Sequence, residues 1–87
     1  MAWFVYIVRC ADDSLYTGVA IDVARRLTEH NESPKGARYT SSRRPVRLVY
    51  TAPCETRSDA MKEEWRIKKL TRSEKMILIS SWQIETT

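Results

Sequence analysis

The chain has 87 residues, which is one small domain over residues 1–87; a domain of this size buries only about 60% of its unfolded surface, so its core is thin and a second domain is excluded. Three tryptophans, four tyrosines and 43% hydrophobic residues argue for a folded globule over a disordered chain. No run approaches the ~18 apolar residues of a membrane span, so no membrane is expected, and the net charge of +4 fits a polyanionic partner.

Taken in chain order, Trp3 to Val8 is a continuous apolar run rich in aromatic and β-branched residues. That composition predicts a strand buried on both faces, and so central in its sheet. The run is too short for a signal-peptide core and follows no basic stretch, so the expected location is the cytoplasm. Ala11-Asp12-Asp13-Ser14 is a turn signal. Leu15 to Gly18 then returns as a second strand, giving an antiparallel hairpin.

Asp22 is placed to cap a first helix, on which Val23, Leu27 and His30 share one stripe. Glu32 to Arg44, with its Ser, Pro, Gly and basic residues, reads as a loop that holds at most a short turn of helix. Pro45 stops structure, Val46 to Thr51 alternates as a third strand, and Pro53 ends it. Thr56 or Ser58 caps a second helix running to Lys69 or Leu70, with apolar positions Ala60, Met61, Trp65, Ile67 and Leu70. A third helix starts near Thr71, capped by Thr71 or Ser73, and carries Met76, Ile77, Ile79 and Trp82 before a fraying polar end. The order β-β-α-β-α-α predicts an α+β fold, a three-stranded antiparallel sheet flanked by helices. Cys10 and Cys54 are expected to be two reduced thiols, with neither a disulfide nor a metal role.

The basic residues are clustered. Pro34 to Tyr50 holds Lys35, Arg38, Arg43, Arg44 and Arg47 with no acidic residue, and a second group, Arg66, Lys68, Lys69, Arg72 and Lys75, faces Glu74 alone. Lys35, Arg38, Arg43 and Arg44 are the candidates for holding a phosphate backbone, with the aromatic Tyr39 beside them.

Several residues have the chemistry for work on phosphates. Strand parity puts Phe4, Tyr6 and Val8 on one side of the first strand, and Tyr16 shares a side with Gly18 on the second. If the two tyrosines face the same way, their phenols converge. Gly18, without a side chain, leaves room for a ligand or a helix to approach. Arg26 and His30 are one helical turn apart on one edge, whereas Arg25 lies about 100° around from Arg26. On the second helix, the five apolar positions average to a direction near Ala60. Glu64 lies about 25° from that direction and Glu63 about 75° on the other side. Glu64 is therefore the carboxylate aimed inward, a direction that calls for a cation or a hydrogen-bond network.

Tyr6, Tyr16-Thr17-Gly18, Arg26, His30 and Glu64 together resemble the motif of the GIY-YIG nuclease superfamily. Lys35-Gly36-Ala37-Arg38-Tyr39-Thr40, Arg43 to Tyr50 and Glu63 to Lys75 are similar to its small stand-alone bacterial members, so the resemblance covers most of the chain. Two features depart from it. The first triplet is Phe4-Val5-Tyr6 with only the tyrosine kept, and no asparagine follows the second helix.

The resemblance implies a metal-dependent endonuclease that hydrolyses phosphodiesters in DNA, or less readily RNA, with structural or weak specificity. Arg26 would hold the scissile phosphate and balance its growing charge. Glu64 would be the metal ligand for a single Mg²⁺ or Mn²⁺. Tyr6 or Tyr16, with His30 near, would take the proton from water. A catalytically weak nucleic-acid-binding module, or a protein-interaction domain of the same fold, is the alternative; neither needs an intact Arg26, His30 and Glu64.

Overall fold

The structure, a computed structural model, describes residues 2–86. Strand β1 (Trp3–Arg9) is the centre of a sheet ordered β2-β1-β3, antiparallel throughout, with β2 spanning Leu15–Ala20 and β3 spanning Arg47–Cys54. Its central place explains the apolar run: Val5, Tyr6, Ile7 and Val8 are all buried, two toward each face. The β1–β2 turn is closed by Cys10 N–H on Ser14 O and Asp13 N–H on Cys10 O, both 2.9 Å. Asp13 sits in the left-handed region at φ 69°, which aspartate tolerates in turns.

Helix α1 (Val23–Glu32) starts at Asp22, whose carboxylate accepts the Arg25 N–H at 3.0 Å. The following segment contains one helical turn, α2 (Arg38–Ser41). Strand β3 starts one residue later than expected, runs three residues past the expected end at Thr51 and includes Pro53, paired with Phe4. A proline is tolerated there because β3 is an edge strand and needs no donor on its outer side. The register of β3 shifts opposite Ile7 and Val8, which are paired with Tyr50 and Leu48. The bulge breaks the expected alternation, so that consecutive Val49 and Tyr50 both join the core.

Helix α3 (Arg57–Lys68) is capped by Thr56, which accepts the Asp59 N–H at 3.1 Å. Helix α4 (Arg72–Thr86) begins in a reciprocal cap: the Thr71 N–H reaches the Glu74 carboxylate at 2.9 Å, and the Glu74 N–H reaches the Thr71 hydroxyl at 3.2 Å. It extends to Thr86.

Two cores result, one on each face of the sheet. Tyr6, Val8, Cys10 and Val46 pack with Tyr16, Val23 and Leu27 of the α1 side. Val5, Ile7, Val49, Tyr50, Ile67 and Ile79 pack with Met76, Leu78 and Trp82 of the α3–α4 side. Met61, Trp65 and Ile77, expected inside, are exposed at 41%, 62% and 68%. The two cysteines stand near opposite ends of the sheet: Cys54 pairs with Trp3, whereas Cys10 follows Arg9, six residues along β1 from Trp3. That is about 20 Å of strand, too far for a disulfide.

Candidate active site

Gly18 is opposite Tyr6 in the β1–β2 ladder. A Cβ at Gly18 would lie 2.5 Å from the Tyr6 hydroxyl oxygen and 2.7 Å from Cζ. The room expected there for a ligand or a helix is filled by the Tyr6 phenol itself, which leans across β2. The reason is register: the ring stands directly over its cross-strand partner.

The phenol ends on α1. The Tyr6 hydroxyl lies 2.8 Å from His30 Nε2, and His30 Nδ1 lies 2.8 Å from Thr40 Oγ1 on α2. Tyr6 is 2% exposed, and His30 and Thr40 are fully buried. Burial, then the nearby Arg26 cation, pushes His30 down to about 4; Glu29 pulls the other way, and Arg44 adds a smaller downward push. The imidazole is therefore neutral near pH 7. Burial also pushes the Tyr6 phenol up to about 12; the Arg26 guanidinium beside it pulls the other way, while Tyr16 and Glu64 add to the rise.

Arg26 is fixed by its own partners. Its Nη1 donates to Glu29 Oε1 at 3.1 Å and to Lys35 O at 2.8 Å. Arg25, around the helix, is largely exposed and only loosely paired with Glu29 at 3.7 Å. Tyr16 presents its ring to the edge of His30, with centroids 5.4 Å apart, and stacks on Tyr39 at 5.8 Å. The two tyrosines thus meet around one histidine.

Glu64 comes from the other helix layer. The buried positions of α3 are Ala60 and Ile67, and about that axis Glu63 and Glu64 diverge by roughly 50° to either side. The unequal angles expected from sequence came from counting the exposed Met61 and Trp65 as core. The two glutamates nevertheless face different surroundings. The charge of Glu64 bears on Tyr6, as the smallest of five influences, whereas that of Glu63 bears on Cys54 at the far strand. Glu64 is 18% exposed and lies 3.6 Å from Lys68 Nζ; Glu63 is held by Nε and Nη2 of Arg66.

Among the described residues, no group of three or more His, Cys, Asp or Glu side chains could hold a metal. Glu64 is one hard oxygen donor, loosely tied, which suits an Mg²⁺-type ion that draws its other ligands from water and substrate phosphate. A thiolate or imidazole zinc site does not fit.

The basic loop divides. Lys35 and Arg38 are exposed. Arg43 donates from Nε to Asp12 at 3.0 Å and from Nη1 to Tyr39 O at 2.8 Å, and its guanidinium lies 4.0 Å over the Tyr39 ring. Arg44 donates to three carbonyls at the end of α1: His30 O at 2.6 Å, Ser33 O at 2.6 Å and Glu29 O at 3.4 Å. Of these two arginines, expected as phosphate contacts, Arg44 holds the end of α1, because carbonyls left open at a helix C-terminus attract guanidinium donors, and Arg43 ties the loop to the β1–β2 turn through Asp12.

Sequence reasoning did not single out Thr40, Gly36 or Asn31. A Cβ at Gly36 would come within 2.6 Å of Glu29 O and 2.9 Å of His30 Cα, so glycine lets the loop close on α1. Asn31 pairs both ways with the Val46 backbone, at 2.9 and 2.7 Å. A buried threonine inside a polar, basic stretch carries no periodic signal that would have marked it.

The family described as the GIY-YIG catalytic domain matches residues 2–76. UPF0213 protein DP2720 of Desulfotalea psychrophila is 59% identical over 92% of this chain and 73% of its own length. A UPF0213 protein of Staphylococcus aureus is 55% identical over 87% of this chain and 92% of its own. Among solved structures, protein EF2693 of E. faecalis is similar with a TM-score of 0.65 and 40% identity, covering 97% of this chain and 88% of that one. The UPF0213 protein BH0048 of Bacillus halodurans gives 0.59 and 45%, over 92% and 84%.

Proposed function

The chain belongs to the GIY-YIG catalytic-domain family, a nuclease-type family that acts on nucleic acids, and from its site we propose that it is a metal-dependent endonuclease with structural or weak sequence specificity. DNA is the favoured substrate over RNA. The observation that carries the reading is the buried Tyr6–His30 contact of 2.8 Å, set where the Arg26 guanidinium faces the same phenol. A structural tyrosine needs one partner; this one collects an imidazole, a cation and the influence of a carboxylate from another layer.

Arg26 binds the scissile phosphate and balances the charge that grows on it. Tyr6 and Tyr16 stand where a phenol can take a proton from the attacking water, with His30 between them. Glu64 would hold a single Mg²⁺ or Mn²⁺, and that ion, when bound, supplies charge for the leaving oxygen. Lys35 and Arg38 are the loop residues left to grip the backbone. Two thiols at opposite ends of the sheet suit the reducing cytoplasm.

A binding module of the same fold is favoured by one observation, the proximity of Glu64 to Lys68 at 3.6 Å. A cleavage screen separates the two. Flapped, branched, damaged and single-stranded DNA, and RNA, are offered with Mg²⁺ or Mn²⁺ to the wild type and to Glu64→Ala. Cleavage that the variant lacks supports the nuclease; salt-sensitive binding without cleavage supports the module.

A further inference from the structure

We propose that the outward face of α3, built on Trp65, Lys69 and Lys62, binds an unpaired stretch of nucleic acid, with a base stacked on the indole and the lysines on its phosphates. Exposure alone means little in so small a domain; what marks Trp65 is its surroundings. Its side chain is 62% exposed, and Met61, one turn before it, is 41% exposed. The Lys69 ammonium stands 3.7 Å from the ring centroid. Beside the ring lies an open hollow of about 500 Å³, lined by Ser58, Met61, Lys62, Trp65 and Arg66. Helical spacing puts Ser58, Met61, Lys62, Trp65 and Lys69 on the side opposite the buried Ala60 and Ile67, and all five are exposed.

Charge selects the occupant. Among the described residues no carboxylate lies within ion-pair reach of Lys62 or Lys69, whereas Glu63 is taken by Arg66 and Glu64 by Lys68. The Lys69 contact steadies the indole as a platform and leaves the ammonium with donors to give a phosphate. A flat π-face among unpaired cations matches a chain in which bases alternate with phosphates. An acidic peptide would satisfy the lysines but offers the indole no repeated flat partner. In a duplex the base faces are already covered by their neighbours, so the site takes single strands, flaps or frayed ends.

The same face adjoins the candidate metal ligand. Around α3 from Glu64, the side chains follow in the order Lys68, Met61 and Trp65, at roughly 40°, 60° and 100°; Glu63 lies on the other flank. The path over the helix surface is roughly 10 Å, or a few nucleotides at about 3.4 Å each. A strand held at Glu64 therefore reaches Trp65 past a cation. This consequence rests on the nuclease reading; the base-binding site does not. It narrows the substrate to nucleic acid with unpaired bases beside the cleaved bond.

The test measures binding by the whole chain, without metal ion, to a dT oligomer, to an abasic oligomer of the same length and to the dT oligomer paired with its dA complement. Trp65→Leu keeps an apolar side chain and removes the ring; Trp65→Phe keeps a ring. The leucine variant is expected to lose about tenfold or more in affinity for the dT oligomer and to bind the other two like the wild type. The phenylalanine variant should recover most of that loss. Lys62→Ala with Lys69→Ala should flatten the salt dependence of dT binding by about one to two contacts. Wild-type dT affinity in Trp65→Leu overturns the proposal, as does an equal loss on the abasic oligomer. Poly-glutamate bound as tightly as the dT oligomer, with the same loss in Trp65→Leu, overturns it in favour of an acidic protein segment. A protein that binds dT through Trp65 but cleaves nothing in the substrate screen removes the nuclease reading and leaves this site. Cleavage of unpaired substrates by Trp65→Leu with unchanged KM overturns the site and leaves the nuclease.

Discussion

The Tyr6 phenol occupies the volume that a side chain at Gly18 would need: an added Cβ would stand 2.5 Å from the hydroxyl oxygen. Sheet and site are coupled at this one pair, because the register that pairs the two residues also aims the phenol at His30. Gly18→Ala is expected to displace Tyr6 from His30. The overpacking should cost about 1–3 kcal/mol, read by urea denaturation, and cleavage should fall with it. A Gly18→Ala variant of wild-type stability and rate would show that the ring position is not fixed by this contact.

Glu64→Gln keeps the size of the side chain and removes the charge that would hold the ion. It should abolish metal-dependent cleavage and leave nucleic-acid binding and thermal stability close to wild type. Glu63→Gln breaks a partly exposed pair with Arg66, worth at most about 1 kcal/mol, and should leave cleavage intact. Cleavage assays on both, beside thermal melts, decide between the neighbours; equal loss in the two would leave Glu64 without a special role.

Folded His30 is pushed down to about 4 from an ordinary value of 6.5. The unfolded chain therefore takes up a proton at a pH where the folded chain does not. Full stability is present above about pH 6.5 and declines as pH falls toward about 4, below which both states are protonated. The decline should reach about 3 kcal/mol at most. His30→Gln, which removes the titrating group, should flatten that part of the profile. Denaturation midpoints measured from pH 7 to pH 4 test it, and parallel profiles for the two proteins would be the contrary result.

The arginines of the loop should separate from its exposed cations. Arg44→Ala strips donors from the end of α1 and is expected to destabilise the fold by about 1–3 kcal/mol. Lys35→Ala with Arg38→Ala should leave stability unchanged and flatten the salt dependence of nucleic-acid binding by about one to two contacts. Titrations at several salt concentrations, with melting curves for the same proteins, distinguish the two classes. An unchanged salt slope in the Lys35 and Arg38 double variant would count against phosphate contacts from this loop.

Much of this fold was written locally in the chain. The apolar run of β1, the Asp-rich turn, and the Asp22 and Thr56 caps depend on a few neighbouring residues, and local preference was enough to place them. Parity likewise put Tyr16 and Gly18 on one side of β2, but that Tyr6 shares this face was decided by the β1–β2 register. The errors came where exposure was inferred from residue type. Met61, Trp65 and Ile77 are apolar yet exposed, because a thin core in a small domain cannot cover every apolar side chain.

What only the tertiary structure decided is how side chains from distant segments share a proton or a charge. Tyr6 and His30 lie 24 residues apart and Arg44 lies 14 residues beyond the helix-end carbonyl of His30 that it grips. No periodicity encodes such pairs, since they follow from helix α1 packing on the sheet and the loop folding back over its end. The sequence alone named tyrosine, arginine, histidine and glutamate as the chemistry-bearing set. Packing determined that Gly18 makes room for Tyr6, that Thr40 stands behind His30, and that Arg43 and Arg44 hold structure. Those outcomes depend on a few ångströms of three-dimensional placement, over which a hydrogen bond either forms or does not.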